Sequence, residues 1–201
     1  MDDLIMSEKD SMRLITSMIN KARNVVSENG FLYIVWGWVI LICCVVQLLS
    51  DLLFHYPYAY YIWFSTYAVL IFQIIYLVRK KKSGITKTYT EEINAFVWIA
   101  FAIGAMLMVF ICVTMKANQL ILPLLLVFYG LPTFLSGAVL KFTPLLIGGI
   151  SCWILAFLSA IIEFEFQLVL IAIAVISAWL IPGYLLQKKY KIALLTHGRK
   201  S

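Results

Sequence analysis

Charge is what this sequence has least of. Only 13% of its residues are Asp, Glu, Lys or Arg, and 63% are apolar. Soluble domains carry about 25% charged and roughly 45–50% apolar residues. Between Phe31 and Gln187 the chain runs through long apolar stretches, and no Asp, Glu, Lys, Arg or His lies near the middle of any of them. That absence removes whole classes of function. Proton-coupled pumps keep carboxylates or imidazoles inside the bilayer. The two histidines, His55 and His197, both fall outside the stretches. A haem held by paired intramembrane histidines therefore cannot be built. Nor can a di-metal oxidase or desaturase, or an intramembrane protease that needs a histidine partner. The reading is of a protein that is not an enzyme, with no catalytic residue, no cofactor and no metal ligand to nominate.

Cysteine is equally uninformative about chemistry. Cys43, Cys44, Cys112 and Cys152 all sit within apolar stretches, with no Cys-x-x-Cys or Cys/His spacing. A disulfide framework would place them in extracytoplasmic loops; here they read as small buried hydrophobes. A cleavable leader is not expected either. The first apolar run begins only after thirty residues that mix Asp2, Asp3, Glu8, Asp10 and Glu28 with Lys9, Arg13, Lys21 and Arg23. A leader would show a short basic region followed at once by its apolar core.

What is present is hydrophobic length. Six runs, approximately 31–53, 58–78, 93–115, 119–140, 144–162 and 167–186, each approach the 20 or so residues a helix needs to cross the hydrocarbon core. Mean hydropathy is +0.95 over 201 residues. The turns after the first, third and fifth runs are short, so the spacing predicts three antiparallel hairpins. Ahead of them, Ile15, Met18, Ile19, Ala22, Val25 and Val26 recur at helical spacing. This predicts an amphipathic helix over 4–28, stopped by Asn29-Gly30 and either lying along the cytoplasmic membrane face or covering the bundle's inner end. The expected fold is thus an all-α integral membrane protein: an amphipathic cytoplasmic region (1–30), a six-helix transmembrane domain (31–187) and a basic cytoplasmic tail (188–201).

The distribution of charge orients it. Fifteen of the 16 Lys and Arg residues precede the first run, follow the even-numbered runs or lie in the tail; Lys116 alone falls on the other side, with Asp51, Glu163 and Glu165. Lys and Arg concentrate in cytoplasmic loops. Both termini are therefore expected in the cytoplasm, and the net charge of +6 is a topological signal that requires no nucleic acid. Aromatic residues crowd the expected interfaces: Phe31, Tyr33, Trp36, Trp38, Trp98, Trp179 and Tyr184 inside, and Tyr56, Tyr58, Tyr60, Tyr61 and Trp63 outside. A weak repeat accompanies the hairpins, since Lys116 and Glu163, like Lys141 and Lys188, are 47 positions apart.

Two patterns nominate residues. Gly148, Cys152, Ala156 and Ala160 place a small side chain at every fourth position of the fifth run, and Ala100 and Gly104 do so in the third. Such ridges let helix backbones approach closely in lipid, within one bundle or in a homo-oligomer. Gly130 and Pro132 interrupt the fourth run, and Pro182 and Gly183 the inner end of the sixth. Proline kinks a helix, and paired interruptions can mark a transporter's binding site. Gln47 and Gln73, both on the first hairpin, are expected to bond to each other or to a neighbouring carbonyl.

The last hairpin, Pro144-Leu-Leu-Ile-Gly-Gly-Ile-Ser-Cys-Trp-Ile-Leu-Ala through Trp179-Leu-Ile-Pro-Gly-Tyr-Leu-Leu-Gln187, resembles the two-helix repeat of HdeD-like membrane proteins. Asn29-Gly30-Phe31-Leu32-Tyr33 through Trp36-Gly37-Trp38 also resembles the start of small bacterial membrane proteins. The resemblance implies three hairpins and an association with acid stress, without a reaction. The expected protein is a stress-related or accessory component of a bacterial cytoplasmic membrane, partnered by lipid and by itself or another membrane protein. The alternatives are an oligomeric transporter or channel, and a sensor recruiting a cytoplasmic partner.

Overall fold

The first helix begins where only glycine fits. Gly30 has φ 68, and a side chain there would collide with the Gly183 carbonyl. Asn29 Oδ1 accepts the Phe31 N–H at 3.1 Å, closing the turn that feeds the helix. The computed structural model describes Met12 and residues 29–54, 58–82 and 89–198. The amphipathic helix expected over 4–28 lies outside the described residues, Met12 apart.

The described residues are helical, with no strand among them. In chain order the helices are α1 (Phe31–Leu49), α2 (Ser65–Lys82), α3 (Tyr89–Thr114), α4 (Ile121–Val139), α5 (Thr143–Ser159), α6 (Phe164–Val175) and α7 (Ile181–Gly198). A π-helical turn, Ile176–Leu180, joins α6 to α7 without a break. Five stretches are long and apolar enough to cross a membrane: Phe31–Leu53, Ala59–Arg79, Thr90–Thr114, Asn118–Val139 and Phe166–Ile192. The expected fifth span is shorter. Thr143–Ser159 is apolar but has 17 residues, a rise of about 25 Å against a core of about 30 Å. It stops early because the Gln167 amide donates to the Ser159 and Ile162 carbonyls, both at 3.1 Å, and so caps the helix end from the next helix. At the other extreme, α7 continues through Lys188, Lys189 and Lys191, so the last run and most of the expected basic tail are one helix.

Neighbouring helices run antiparallel, as their cross-contacts show. Trp36 and Gln47 of α1 meet Gln73 and Trp63 on the next segment. Asn94 and Gly104 of α3 meet Ser136 and Phe128 of α4. Gly137 and Gly130 of α4 meet Leu146 and Trp153 of α5. Ser151 of α5 meets Ser177, and Gly37 of α1 meets Leu180. The outcome is a core of α1, α4, α5 and the α6–α7 rod, with α3 laid on α4 and α2 at the edge against α1.

This arrangement gathers charge at one end. The start of α1 lies beside the end of α2 (Phe31 and Tyr76 centroids 5.4 Å apart) and beside Gly183 of α7. Lys189 stands over the Phe142 ring, 5.5 Å from its centroid, next to Lys141. Arg79, Lys141, Lys188, Lys189 and Lys191 thus share an end, and the antiparallel register sends Lys116 to the other.

Two lysines close turns in an unusual way. Lys116 (φ 57) and Lys141 (φ 49) are the described non-glycine residues with positive φ. Phe142 N–H bonds Gly137 O at 2.9 Å and Lys141 N–H bonds Ala138 O at 3.3 Å; Ala117 N–H bonds Cys112 O at 2.8 Å and Lys116 N–H bonds Val113 O at 3.1 Å. Both are Schellman closures with lysine where glycine is usual.

Candidate functional site

The polar groups of the bundle are concentrated in one buried seam. Tyr129, Thr133 and Ser136 lie three and four residues apart on α4, hence on one face. Thr133, fully buried, donates its hydroxyl proton to the Tyr129 carbonyl at 2.7 Å and accepts the Trp179 indole N–H at 2.9 Å. One turn further on, Ser136 donates to Asn94 Oδ1 at the start of α3. Trp179 packs against Tyr129 at 4.8 Å and Trp98 at 5.8 Å; Trp98 reaches Tyr33 of α1 at 5.6 Å, and Phe101 closes the ring against Tyr129 at 5.9 Å. Cys44 and Cys152 belong to the same core.

The seam joins α1, α3, α4 and the π turn. The Thr133, Ser136 and Trp179 donors each find an acceptor within the seam, and none of these three bonds involves a carboxylate, imidazole or amine. The Thr133 hydroxyl is engaged on both sides, as donor to the Tyr129 carbonyl and acceptor from the Trp179 indole. No group of three or more His, Cys, Asp or Glu suited to a metal occurs among the described residues. In a low-dielectric interior a satisfied network of this kind specifies packing, because an unpaired buried group is costly.

The nominated residues fall in different places. Gly148 is buried, and a Cβ there would lie 2.6 Å from Ala178 Cα; Ser151 beside it bonds Ser177 at 2.9 Å. Cys152 and Ala156 are buried along the same face, while Ala160 caps α5 in an exposed position. Gly104 faces Phe128 of α4, with a Cβ separation of 2.8 Å, whereas Ala100 is exposed. Gly130 lies beneath Trp153 and the Gly149 carbonyl. Pro132 is buried inside α4, Pro182 is buried in α7, and Gly183 meets Tyr33 and Ile34. The two interrupted stretches do come together, since Thr133 adjoins Pro132 and its partner Trp179 stands three residues before Pro182.

The π turn has a clear cause. Pro182 lacks an N–H and its ring crowds the carbonyl four residues earlier. The preceding turn widens, and Ile181 N–H bonds Ile176 O, five residues back. Pro182 therefore reshapes the middle of a continuous helix and does not mark its end.

Gln47 and Gln73 do not bond to each other. Each accepts an indole N–H from the opposite helix: Trp36 Nε1 to Gln73 Oε1 at 2.6 Å, and Trp63 Nε1 to Gln47 Oε1. The pairs are reciprocal, Trp and Gln on α1 facing Gln and Trp on the returning strand of chain. Their similar separations, 36 to 47 and 63 to 73, are a signal present in the sequence, but one that reads only when donor and acceptor are paired across an antiparallel register. No family model, curated protein or solved structure matches this chain.

Proposed function

We propose that this is a non-enzymatic membrane protein that crosses the bilayer six times as three hairpins, with both ends cytoplasmic, and packs against itself or another membrane protein as an accessory component. A bacterial cytoplasmic membrane is the setting the charge pattern fits. The observation that carries the reading is the contrast between a sealed interior and a bare exterior. The Thr133, Ser136 and Trp179 donors bond within the seam, and the glycines of α4, α5 and α7 leave no room for a Cβ. Outside, none of the Ala59–Arg79 stretch is buried, and α3 exposes Phe96, Ile103, Phe110 and Met106 over more than half their surface. Such faces require lipid or protein cover. The sixth crossing of this proposal is α5, whose 17 residues sit at the lower limit of the roughly 17–25 a span uses. The likeness of the last hairpin to HdeD-like proteins is part of this proposal, as is a stress-related role.

A small-solute transporter is the second reading, favoured by the meeting of the two proline-interrupted stretches at Thr133 and Trp179. One experiment separates the two. Cys43 and Cys44 are each about 1% exposed. In intact membranes they are expected to resist a water-soluble maleimide that labels a cysteine introduced in the outer turn. Rapid labelling of either would reveal a water-filled path, favour transport and refute the sealed interior.

A further inference from the structure

The charged end of the bundle is not uniform. Lys141 occupies the left-handed closing position of α4, and Lys189 holds its ammonium over Phe142, the next residue, 5.5 Å from the ring centroid. Two exposed lysines from different helices are thereby brought to one turn, and the ring fixes the position of one of them. The α4 closure fixes the backbone from which the other projects, through the Lys141 and Phe142 amide bonds. Beneath Lys189, one helical turn towards the membrane on the same ridge, lies Leu185, 44% exposed, followed by Ile181 at 52%. At the start of α5, Ile147 is 62% exposed. Cations at the rim with bare aliphatic side chains below them match a molecule with a negative head and a hydrocarbon tail. On this end the described carboxylates are Glu91 and Glu92, on the first turn of α3.

We propose that the α4–α5 turn and the start of the basic part of α7 form a specific site for the phosphate headgroup of an anionic phospholipid, held by Lys141 and Lys189. The inference rests on the membrane reading above. Basic pockets between membrane helices on the cytoplasmic side bind anionic headgroups, and each basic residue near such a surface changes affinity about fivefold. Removing both lysines then weakens binding roughly twenty-five-fold.

The test uses the full chain in detergent, with phosphatidylglycerol, phosphatidylcholine or inorganic phosphate added, read by native mass spectrometry and thermal shift. The expected result is retention of phosphatidylglycerol and a rise in Tm with that lipid alone, both lost in Lys141→Gln/Lys189→Gln. A Lys188→Gln/Lys191→Gln variant removes the same charge from positions round the helix from Lys189, and should keep most of the binding. Lys141→Arg/Lys189→Arg should restore it, which separates lost binding from lost folding. Equal loss in the two glutamine variants would mean diffuse attraction and would overturn the site. An equal shift with inorganic phosphate would overturn the lipid. Release of the wild-type chain from membranes by alkaline carbonate would instead defeat the membrane reading on which the site depends.

Discussion

Helix α2 offers the sharpest test of how this bundle is held. Its main neighbour among the core helices is α1, none of the Ala59–Arg79 stretch is buried, and the polar contacts that tie this stretch to α1 include the Trp36–Gln73 and Gln47–Trp63 bonds and the Cys43–Ser65 contact. In a membrane the helices gain no hydrophobic drive from meeting, so these bonds carry an unusual share of the docking. Interhelical hydrogen bonds contribute about 0.6 kcal/mol on average and up to ~1.7 kcal/mol. The double variant Gln47→Leu/Gln73→Leu loses both bonds and leaves two indole N–H groups without their acceptors. The combined cost is therefore about 1–3 kcal/mol, a reduction of roughly 5- to 150-fold in the ratio of docked to undocked α2. Cys43 Sγ lies 3.3 Å from Ser65 Oγ, so Ser65→Cys places a second thiol within reach of a disulfide. With Cys44, Cys112 and Cys152 changed to alanine, mild oxidation should close that disulfide quickly. The same oxidation in the Gln47→Leu/Gln73→Leu background should be several-fold slower, and Tm should fall. Unchanged oxidation and unchanged Tm would mean that apolar packing alone docks α2, and the role given to the reciprocal pairs would be wrong.

Ala156→Leu should lower Tm more than Leu158→Ala, because Ala156 is 6% exposed and Leu158 39%; equal tolerance in thermal unfolding would contradict the close packing of that face. Gly148→Ala pushes a methyl to 2.6 Å from Ala178 Cα, and the forced separation of α5 from the π turn should cost about 1–3 kcal/mol despite alanine's better helix propensity. Thr133→Val leaves the Trp179 indole without its acceptor and should cost about 1–3 kcal/mol, whereas Thr133→Ser keeps the bond and should cost less. Reporter fusions at Ser201 and after Lys116 should report opposite sides of the membrane; an extracytoplasmic C-terminus would refute the threading.

Some of this was legible in the residues and some was not. The apolar runs were, because hydrocarbon thickness sets a length that composition alone must meet; only the run at 144–162 falls short as a helix, since its end is decided by the Gln167 amide reaching back from α6. The small residues at 148, 152 and 156 and the Pro182-Gly183 pair could be named because their effects on helices are local. Which surface each meets could not. Gly148 faces Ala178, Gly104 faces Phe128, and Ala160, with the same spacing and the same small side chain, is exposed. A helical period places residues on a face but is silent on what lies opposite, and in lipid an apolar face has no preference between a neighbour and an acyl chain.

The seam belongs to the same division. Trp98 and Trp179 read from composition as interfacial belt residues, while the fold turns Trp179 inward to 2% exposure, bonded to a threonine 46 positions earlier in the chain. By itself, then, the sequence determined that the chain is helical, how long most of its apolar helices are, and at which ends its charges collect, because these depend on local propensity and on the scarcity of charge. The tertiary structure decided which helices touch, that Gln47 and Gln73 each pair with an indole on the facing segment, that Pro182 widens a turn inside a continuous rod, and that Lys141 and Lys189 meet at Phe142. Those outcomes depend on rotation and register between helices, which are set by close approach at particular glycines and by hydrogen bonds between residues far apart in the chain.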